Sequence, residues 1–204
     1  MARQLRIHLF IDYQNVHLVG HGLFAPTGTP PHQTLVDPRK LADVIDQKRL
    51  AAGKPGMINA VYVFRGLPSN KHEPAANRRN KMQASEWTRD RRVAVTHRSL
   101  RYLDSWPTTP VREKGVDVLL AVRFVEEALK SQADVLILAS RDSDLAPAIE
   151  MALGVANPPI VEVCNWDGGG RLRPSAKSGT QDSVWCTWLN GDSFAAVRDQ
   201  REYP

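Results

Sequence analysis

Short apolar runs alternate along this chain with longer stretches in which apolar and polar positions are mixed. RIHLFID (residues 6–12) is apolar throughout rather than strictly alternating, and DVLILA (134–139) is similar. This pattern is typical of strands covered on both faces in a parallel sheet. Further predicted strands are NAVYVFRGL (59–67), RVAVTHRSL (92–100), IVEVCNW (160–166) and SVWCTWL (183–189). We expect residues 6–12 to form a central strand.

Helical spacing of apolar residues fills the intervals between these strands. Asp37-Pro38 starts a helix whose apolar positions are Leu41, Val44, Ile45 and Leu50, because proline is favoured in the first helical turn. A basic helix is predicted at about 74–90, with Met82 and Trp87 directed inward. A strongly apolar helix follows at 115–130, with core positions Val116, Leu119, Leu120 and Val122. Four prolines and three glycines predict a long surface loop at 19–38.

Capping residues predict the starts of two helices in the C-terminal half of the chain. Ser143 or Asp144 is expected to cap the helix that contains Pro147, and Asp192 or Ser193 to cap a short terminal helix.

Alternating strands and helices indicate an α/β fold, with a central, mainly parallel sheet flanked by helices in three layers. At 204 residues and 42% hydrophobic content, we predict a single domain over 1–204. Its core covers about 5–166, followed by a flexible loop at 167–182 and a strand and helix at 183–200.

Several classes of protein are disfavoured by features that the sequence lacks. No apolar run approaches the roughly 20 residues of a membrane helix, and the amino terminus enters a strand at once. We therefore expect a cytoplasmic protein without a membrane partner. Cys164 and Cys186 match no metal or redox spacing and are expected to be reduced thiols. No glycine-rich phosphate-binding sequence follows a strand, so no nucleotide cofactor is predicted.

The net charge of +5 is unevenly distributed. Residues 65–101 contain ten Lys or Arg and three acids, a net charge of +7, while the remainder has seventeen bases and nineteen acids. A basic block beside an acidic cluster is expected for a polyanion substrate held near a metal ion. A solvated helix face is the alternative explanation, since charge runs commonly mean no more than that.

Carboxylates follow the two most apolar strands and open one helix. Asp12 ends RIHLFID with Asn15 three residues later, and SRDSD (140–144) follows DVLILA with Asp142 and Asp144. In a doubly wound sheet, functional groups gather at the carboxyl ends of strands where the strand order switches. Asp117 lies in the first turn of the helix after Lys-Gly. We expect that helix, if simply antiparallel, to begin at the opposite edge, so Asp117 reaches the crevice only if its helix begins nearby.

Converging carboxylates repel one another unless protons or a cation lie between them. Oxygen ligands without His or Cys favour Mg²⁺ or Mn²⁺, and such an ion supports hydrolysis of a phosphodiester. The Asn15 amide would then orient substrate or water, and Ser140 would donate a hydrogen bond to a carboxylate or phosphate. Each acid also has a simpler explanation, as a helix cap, an Asx turn or a favourable charge at a helix N-terminus.

Three motifs follow one another along the chain: Asp12-x-x-Asn15, Lys114-Gly115-x-Asp117 and Ser140-x-Asp142-Ser143-Asp144. In this order they resemble the motifs of the NYN domains, a branch of the PIN-like nucleases that includes the LabA-like group. The resemblance extends from FIDYQN through LASRDSDLAPAIE, and the terminal VWCTWL is similar to bacterial members. It implies a PIN-like fold and a divalent-metal ribonuclease. By motif position it implies metal binding by Asp12, Asp117, Asp142 and Asp144, with Asn15 and Ser140 as supporting groups.

One position departs from the family pattern. Arg141 stands where these domains usually have glycine between the serine and the first aspartate. Two consequences are open: the guanidinium clamps a phosphate, or it neutralises the acids and weakens metal binding.

The leading hypothesis is therefore a metal-dependent ribonuclease that grips single-stranded or structured RNA through residues 65–101. The residues expected to contact nucleic acid are Arg65, Arg78, Arg79, Lys81, Lys114 and Arg141. Trp87 and Trp106 either stack bases or are buried. The alternative is an RNA-binding module of the same fold without turnover. An aspartyl phosphatase is disfavoured because Leu145 replaces the threonine expected after the paired aspartates. A homodimer or a protein inhibitor is left open as a further partner.

Overall fold

The apolar runs form six strands, and these make one fully parallel sheet. The computed structural model describes residues 4–173 and 184–204. The strands are β1 (Arg6–Asp12), β2 (Met57–Leu67), β3 (Val93–Ser99), β4 (Val135–Ala139), β5 (Ile160–Trp166) and β6 (Trp185–Leu189). Their order across the sheet is β3-β2-β1-β4-β5-β6. The expected parallel sheet, with residues 6–12 at its centre, is confirmed.

Helices cover both faces of the sheet and complete three layers. They are α1 (Tyr13–Phe24), α2 (Pro38–Ala51), α3 (Pro74–Trp87), α4 (Val116–Lys130), α5 (Ala146–Leu153) and α6 (Gly191–Val197). Short 3-10 helices lie at Pro31–Gln33 and Ser143–Leu145. One apolar core packs α1, α2, α3 and α6 against the sheet, and the second packs α4 and α5 against the other face. This α/β architecture is the predicted fold class.

The strand order switches direction at β1. After β1 the chain builds outward through β2 to β3, then crosses to β4 on the other side of β1. The carboxyl ends of β1 and β4 are therefore adjacent, and connections leave them toward opposite faces. This switch opens a crevice at that edge of the sheet.

Of the two positions left open for the helix of Asp117, the structure shows the one that brings Asp117 into the crevice. An antiparallel crossover helix begins at the carboxyl edge of a parallel sheet, and α4 does so. Glu113, just before α4, accepts a 2.8 Å hydrogen bond from the backbone N–H of Gly66 near the end of β2. At the other end of α4, the Ser131 carbonyl accepts a 3.2 Å hydrogen bond from Arg6 at the start of β1. The helix thus returns from the carboxyl edge to the amino edge, as every right-handed crossover must.

The predicted loop at 19–38 was wrong in its first part, because α1 continues to Phe24. A Cβ atom at Gly20 would lie 2.8 Å from Cε2 of Trp166, whereas one at Gly22 would meet nothing within 4 Å. Gly20 is therefore a site of close helix-to-sheet packing rather than a helix breaker. The asparagine Asn190 caps α6 and Asp142 caps the 3-10 helix before α5, in place of the residues expected.

Burial follows the predicted pattern with some exceptions. Trp87 is fully buried and its indole N–H donates to Asp199, so it stacks on no base. Val122 is 62% exposed, contrary to the core position expected for it. Leu50, one of the apolar positions of α2, is 74% exposed. Both cysteines are buried free thiols.

Two further expectations concern the membrane and the loop after β5. Within the described ranges, no helix combines the length and apolarity needed to cross a membrane. Part of the predicted flexible loop, residues 174–182, lies outside the described residues.

Candidate functional site

Three carboxylates from three separate elements converge at the carboxyl edge. Asp12 is the last residue of β1, Asp142 follows β4 by three residues, and Asp117 lies in the first turn of α4. Each offers a carboxylate oxygen, and these three oxygens lie within 4.8 Å of one another. The fold thus brings together residues that are 105 and 25 positions apart in sequence.

Asp12 is the most buried of the three. Its carboxylate accepts a 2.9 Å hydrogen bond from the Ser140 hydroxyl and a 3.3 Å bond from the Asn15 backbone N–H. Burial raises the pKa of Asp12 to about 7; these two hydrogen bonds oppose the shift, and the charges of Asp117 and Glu113 add to it. A buried carboxylate with acids as neighbours lacks the positive charge that would stabilise its ionised form.

Ser140 and Asn15 organise the loop that follows β4. The Ser140 hydroxyl accepts a 3.0 Å hydrogen bond from the backbone N–H of Asp142, while it donates to Asp12. The Asn15 side-chain oxygen accepts a 3.1 Å bond from the backbone N–H of Arg141. Both residues therefore connect β1 and α1 to the acidic loop, which makes them positioning residues.

Asp117 and Asp144 occupy the more exposed side of the cluster. Burial raises the pKa of Asp117, and the negative charges of Asp142 and Asp144 raise it further. Asp144 is exposed, and its backbone N–H donates a 3.0 Å hydrogen bond to Asp142. Asp144 is not part of the group of three that lies within 4.8 Å, so its influence is through space.

Glu113 is a fourth acid at the site that the sequence did not reveal. It is half-buried, and the Gly66 N–H bond described above fixes its carboxylate beside β2. Burial raises its pKa; the Gly66 hydrogen bond and Arg65 oppose this, and Asp117 adds to it. The sequence EKGVD places Glu113 four residues before Asp117, which is the one local signal that could have indicated it.

Arg141 points away from the carboxylates. Its guanidinium donates a 3.0 Å hydrogen bond to the carbonyl of Gly169 in the loop after β5. It forms no ion pair with a carboxylate in the part of the chain that the structure describes. Arg141 therefore does not fill the space between the three acids.

The basic residues expected to contact nucleic acid differ in their surroundings. Arg78 and Lys81 are exposed on α3, and Arg79 on the same helix is half-buried. Lys114 is exposed directly before α4, and its carbonyl accepts a 2.8 Å hydrogen bond from Arg98. Arg65 is also half-buried, between α1 and α3, where it stacks on the Tyr13 ring at 4.5 Å.

The donor atoms of the site fit a hard divalent cation. The three converging groups offer only carboxylate oxygens, the ligands that Mg²⁺ and Mn²⁺ prefer over thiolate or imidazole. Burial and the neighbouring acids raise the pKa values of Asp12 and Asp117. Asp12, Asp117 and Asp142 could hold such an ion, and a bound ion would favour their ionised forms.

Comparisons with known proteins address the family and the fold. The sequence model described as "NYN domain" matches residues 6–154. The crystal structure of a protein of unknown function from Vibrio parahaemolyticus is similar, with a TM-score of 0.53 and 15% sequence identity. That similarity covers 93% of this chain and 94% of the other, and it concerns the fold alone. No curated protein gives a significant match.

Proposed function

Since the chain belongs to the NYN domain family, whose members generally are nucleases with a PIN-like fold, we propose that it is a divalent-metal-dependent ribonuclease. The observation that carries this proposal is the convergence of Asp12, Asp117 and Asp142 oxygens within 4.8 Å. The resemblance to the LabA-like branch stays a prediction.

We assign the metal ligands to Asp12, Asp117 and Asp142 on this geometry, and to Asp144 on the family pattern. Mg²⁺ or Mn²⁺, when bound, supplies Lewis acidity for the phosphodiester and lowers the pKa of water at the site. Ser140 and Asn15 hold Asp12 and the acidic loop in place through their hydrogen bonds. Because these partners come from β1, α1 and β4, the ligand oxygens are positioned before any substrate arrives.

The cations near the site supply the grip on RNA in this proposal. Arg78, Arg79 and Lys81 lie on α3, Lys114 precedes α4, and Arg141 follows β4. Lys and Arg that neutralise phosphates release counterions, so the affinity should fall steeply with salt. The cytoplasmic location and a homodimer or inhibitor stay predictions.

The alternative of an RNA-binding module without turnover depended on Arg141 blunting the metal site. The hydrogen bond from Arg141 to Gly169 directs its charge toward the loop after β5. That orientation removes the reason to expect an inactive centre, and it leaves the guanidinium available near the crevice as a phosphate contact. We therefore favour the nuclease.

Cleavage assays on matched variants test the proposal. End-labelled single-stranded and hairpin RNAs are incubated with wild type, Asp142→Asn and Asp192→Asn, in Mn²⁺, in Mg²⁺ and in chelator. Asp192 is an exposed acid in the first turn of α6, outside the site. We expect cleavage by wild type and Asp192→Asn only, and its loss in chelator, because Asp142→Asn removes one ligand.

Two outcomes would contradict this function. Normal cleavage by Asp142→Asn would refute the assignment of the carboxylate centre. RNA binding by wild type without cleavage in every metal condition would favour the binding module.

Substitution of Arg78 and Arg79 by Ala should reduce the slope of the logarithm of RNA affinity against the logarithm of salt concentration by roughly one per lost phosphate contact, without changing Mn²⁺ affinity.

A further inference from the structure

A cavity of about 260 Å³ lies beside the carboxylate cluster, between α1, the end of β2 and α3. This volume is several times the roughly 30 Å³ that one water molecule occupies in the liquid. Its walls include Tyr13, His17, Arg65, Gly66 and Asn80. The cavity is therefore large enough for a chemical group of a ligand.

Arg65 supplies a positive charge to this cavity. Its guanidinium lies over the Tyr13 ring at 4.5 Å and donates a 2.8 Å hydrogen bond to the neutral Gln83 amide. That bond uses one of the five N–H donors of an arginine. Within residues 4–173 and 184–204, Arg65 forms no ion pair with a carboxylate. Burial lowers the pKa of Arg65, and the through-space effect of Glu113 opposes the shift.

Several other arginines that are buried or half-buried are paired with acids. Arg49 lies 2.8 Å from Glu162, Arg92 lies 2.8 Å from Asp90, and Arg201 contacts Asp37 at 2.6 Å. A charge removed from water without a partner destabilises a fold. Arg65 is half-buried and bonds to a neutral amide in place of a carboxylate, so its positive charge is not neutralised at the cavity wall.

The imidazole of His17 gives the cavity no second cation. Its Nε2 lies 2.9 Å from the Pro31 carbonyl oxygen, so this nitrogen carries the proton. Burial lowers the pKa of His17 to about 4, and the nearby charge of Arg65 contributes to the shift. The ring is therefore neutral near pH 7, and Arg65 provides the positive charge of this wall.

The cavity adjoins the site where the phosphodiester would be cut. Tyr13 in its wall directly follows Asp12, and the wall residue Gly66 bonds to Glu113. A polyanion that lies over the carboxylate cluster and continues across the end of β2 would meet this cavity next. A phosphate is the complementary group, since a guanidinium presents paired N–H donors that match phosphate oxygens.

We propose that this cavity is a subsite for one phosphate group of the nucleic acid substrate, adjacent to the phosphodiester that is cut, with Arg65 as its ligand. The inference rests on the proposed nuclease function for the identity of the polyanion. The phosphate is either an internal phosphodiester or a terminal phosphate, and the two have the same chemistry here.

Binding measurements in chelator test the subsite without any cleavage. Wild type, Arg65→Met and Arg65→Lys are titrated with a labelled single-stranded RNA, and Arg6→Met is the charge-matched control. Arg6 is paired with Asp134 at 3.4 Å and its side chain is 45% exposed, at the start of β1 and therefore at the opposite edge of the sheet from the cavity. We expect Arg65→Met to bind about tenfold more weakly, as for the loss of a charge-assisted hydrogen bond, and Arg6→Met to bind within about twofold of wild type.

A scan of the RNA identifies the phosphate. Each RNA in the series carries one neutral methylphosphonate, and each is made with a 5′-phosphate or a 5′-hydroxyl. Wild type should bind more weakly to one RNA of the series, either the one whose contacted phosphate is a methylphosphonate or the one with a 5′-hydroxyl in place of a 5′-phosphate. Arg65→Met should bind that RNA and the unmodified RNA with equal affinity. Sensitivity at an internal position would identify a phosphodiester, and sensitivity to the 5′ end would identify a terminal phosphate.

The outcomes separate this inference from the nuclease proposal. Equal losses for Arg65→Met and Arg6→Met, or a scan without any position that depends on Arg65, would overturn the subsite even if wild type cleaves RNA. A scan that depends on Arg65, from a wild type that never cleaves in Mn²⁺, would support the subsite and contradict the nuclease. Arg65→Met should unfold at the same temperature as wild type or higher, because a half-buried charge without a carboxylate partner is removed. Arg65→Lys, which keeps the charge without the planar guanidinium, should bind with intermediate affinity.

Discussion

Asp12→Asn should make the metal-free protein more stable, and the gain should grow with pH. The Asp12 carboxyl is 4% exposed, and burial raises its pKa from about 4, typical of an exposed aspartate, to about 7. A shift of three units corresponds to about 4 kcal/mol of folding free energy. Because the folded state binds the proton more tightly, this stability is present below pH 4 and is lost as the pH rises through 7.

The pH dependence follows from the two pKa values. Between pH 5 and pH 8 the wild-type protein should lose about 3 kcal/mol of unfolding free energy through Asp12 alone. Asparagine cannot ionise, so Asp12→Asn removes this loss. Its stability advantage over wild type should therefore increase by about 3 kcal/mol across that interval.

Urea unfolding in chelator, followed by tryptophan fluorescence at pH 5 to 8, measures this difference. Asp104→Asn, in the exposed loop before α4, is the control and should run parallel to wild type. Added Mn²⁺ should stabilise wild type and not Asp12→Asn, because ligand binding to the folded state raises its stability. Parallel stability curves for wild type and Asp12→Asn would refute the argument that this carboxylate is destabilised by burial and neighbouring acids.

Four further substitutions test the hydrogen bonds, the packing and the charge around the site. Ser140→Ala removes the hydroxyl that donates to the buried Asp12 carboxylate and should lower the unfolding free energy at pH 8 by about 1–3 kcal/mol, measured in urea; an unchanged midpoint would contradict the role given to this hydroxyl. Gly22→Ala has open space around the new methyl group and should raise the free energy of unfolding by up to about 1 kcal/mol. Gly20→Ala places its methyl group against the indole ring of Trp166 and should lower the free energy of unfolding by about 1–3 kcal/mol. A thermal unfolding experiment in which Gly20→Ala is the more stable variant would refute the close packing. Arg141→Gly should have a Mn²⁺ dissociation constant within about twofold of the wild-type value, since the guanidinium is directed away from the acids. A dissociation constant about tenfold lower than that of wild type in a metal titration would show that the arginine competes with the ion.

Much of the fold could be predicted because its signals are local. Apolar runs set the strands, and the spacing of Leu41 and Ile45 set the buried face of α2. The wrong predictions fall where packing overrode the local signal or where that signal was uniform. The glycines and prolines at 19–38 predicted a loop, but the packing of Gly20 against Trp166 keeps the first part helical. Val122 lies in a run too apolar throughout to show which of its positions face solvent.

The candidate site was predicted in part for the same reason. Asp12 and Asp142 follow strands, so the general rule for parallel sheets placed them together without knowledge of the fold's details. Glu113 could not be found in this way, because its role depends on Gly66, which is 47 residues distant and meets it only after β2 and α4 pack. Arg65 was among the expected contacts to nucleic acid, but its partial burial and its neutral partner Gln83 are set by the packing of α1 and α3 around it.

By itself the sequence determined the alternation of strands and helices, the apolar core runs, and the positions of the acids at the ends of those elements. These features depend on side-chain periodicity and on residues within a few positions of one another. Only the tertiary structure decided that α4 begins at the carboxyl edge, that three carboxylates meet within 4.8 Å, and that Arg141 turns toward Gly169. Burial and electrostatic environment are set by residues that are distant in sequence and become neighbours on folding, and these in turn set the pKa of Asp12.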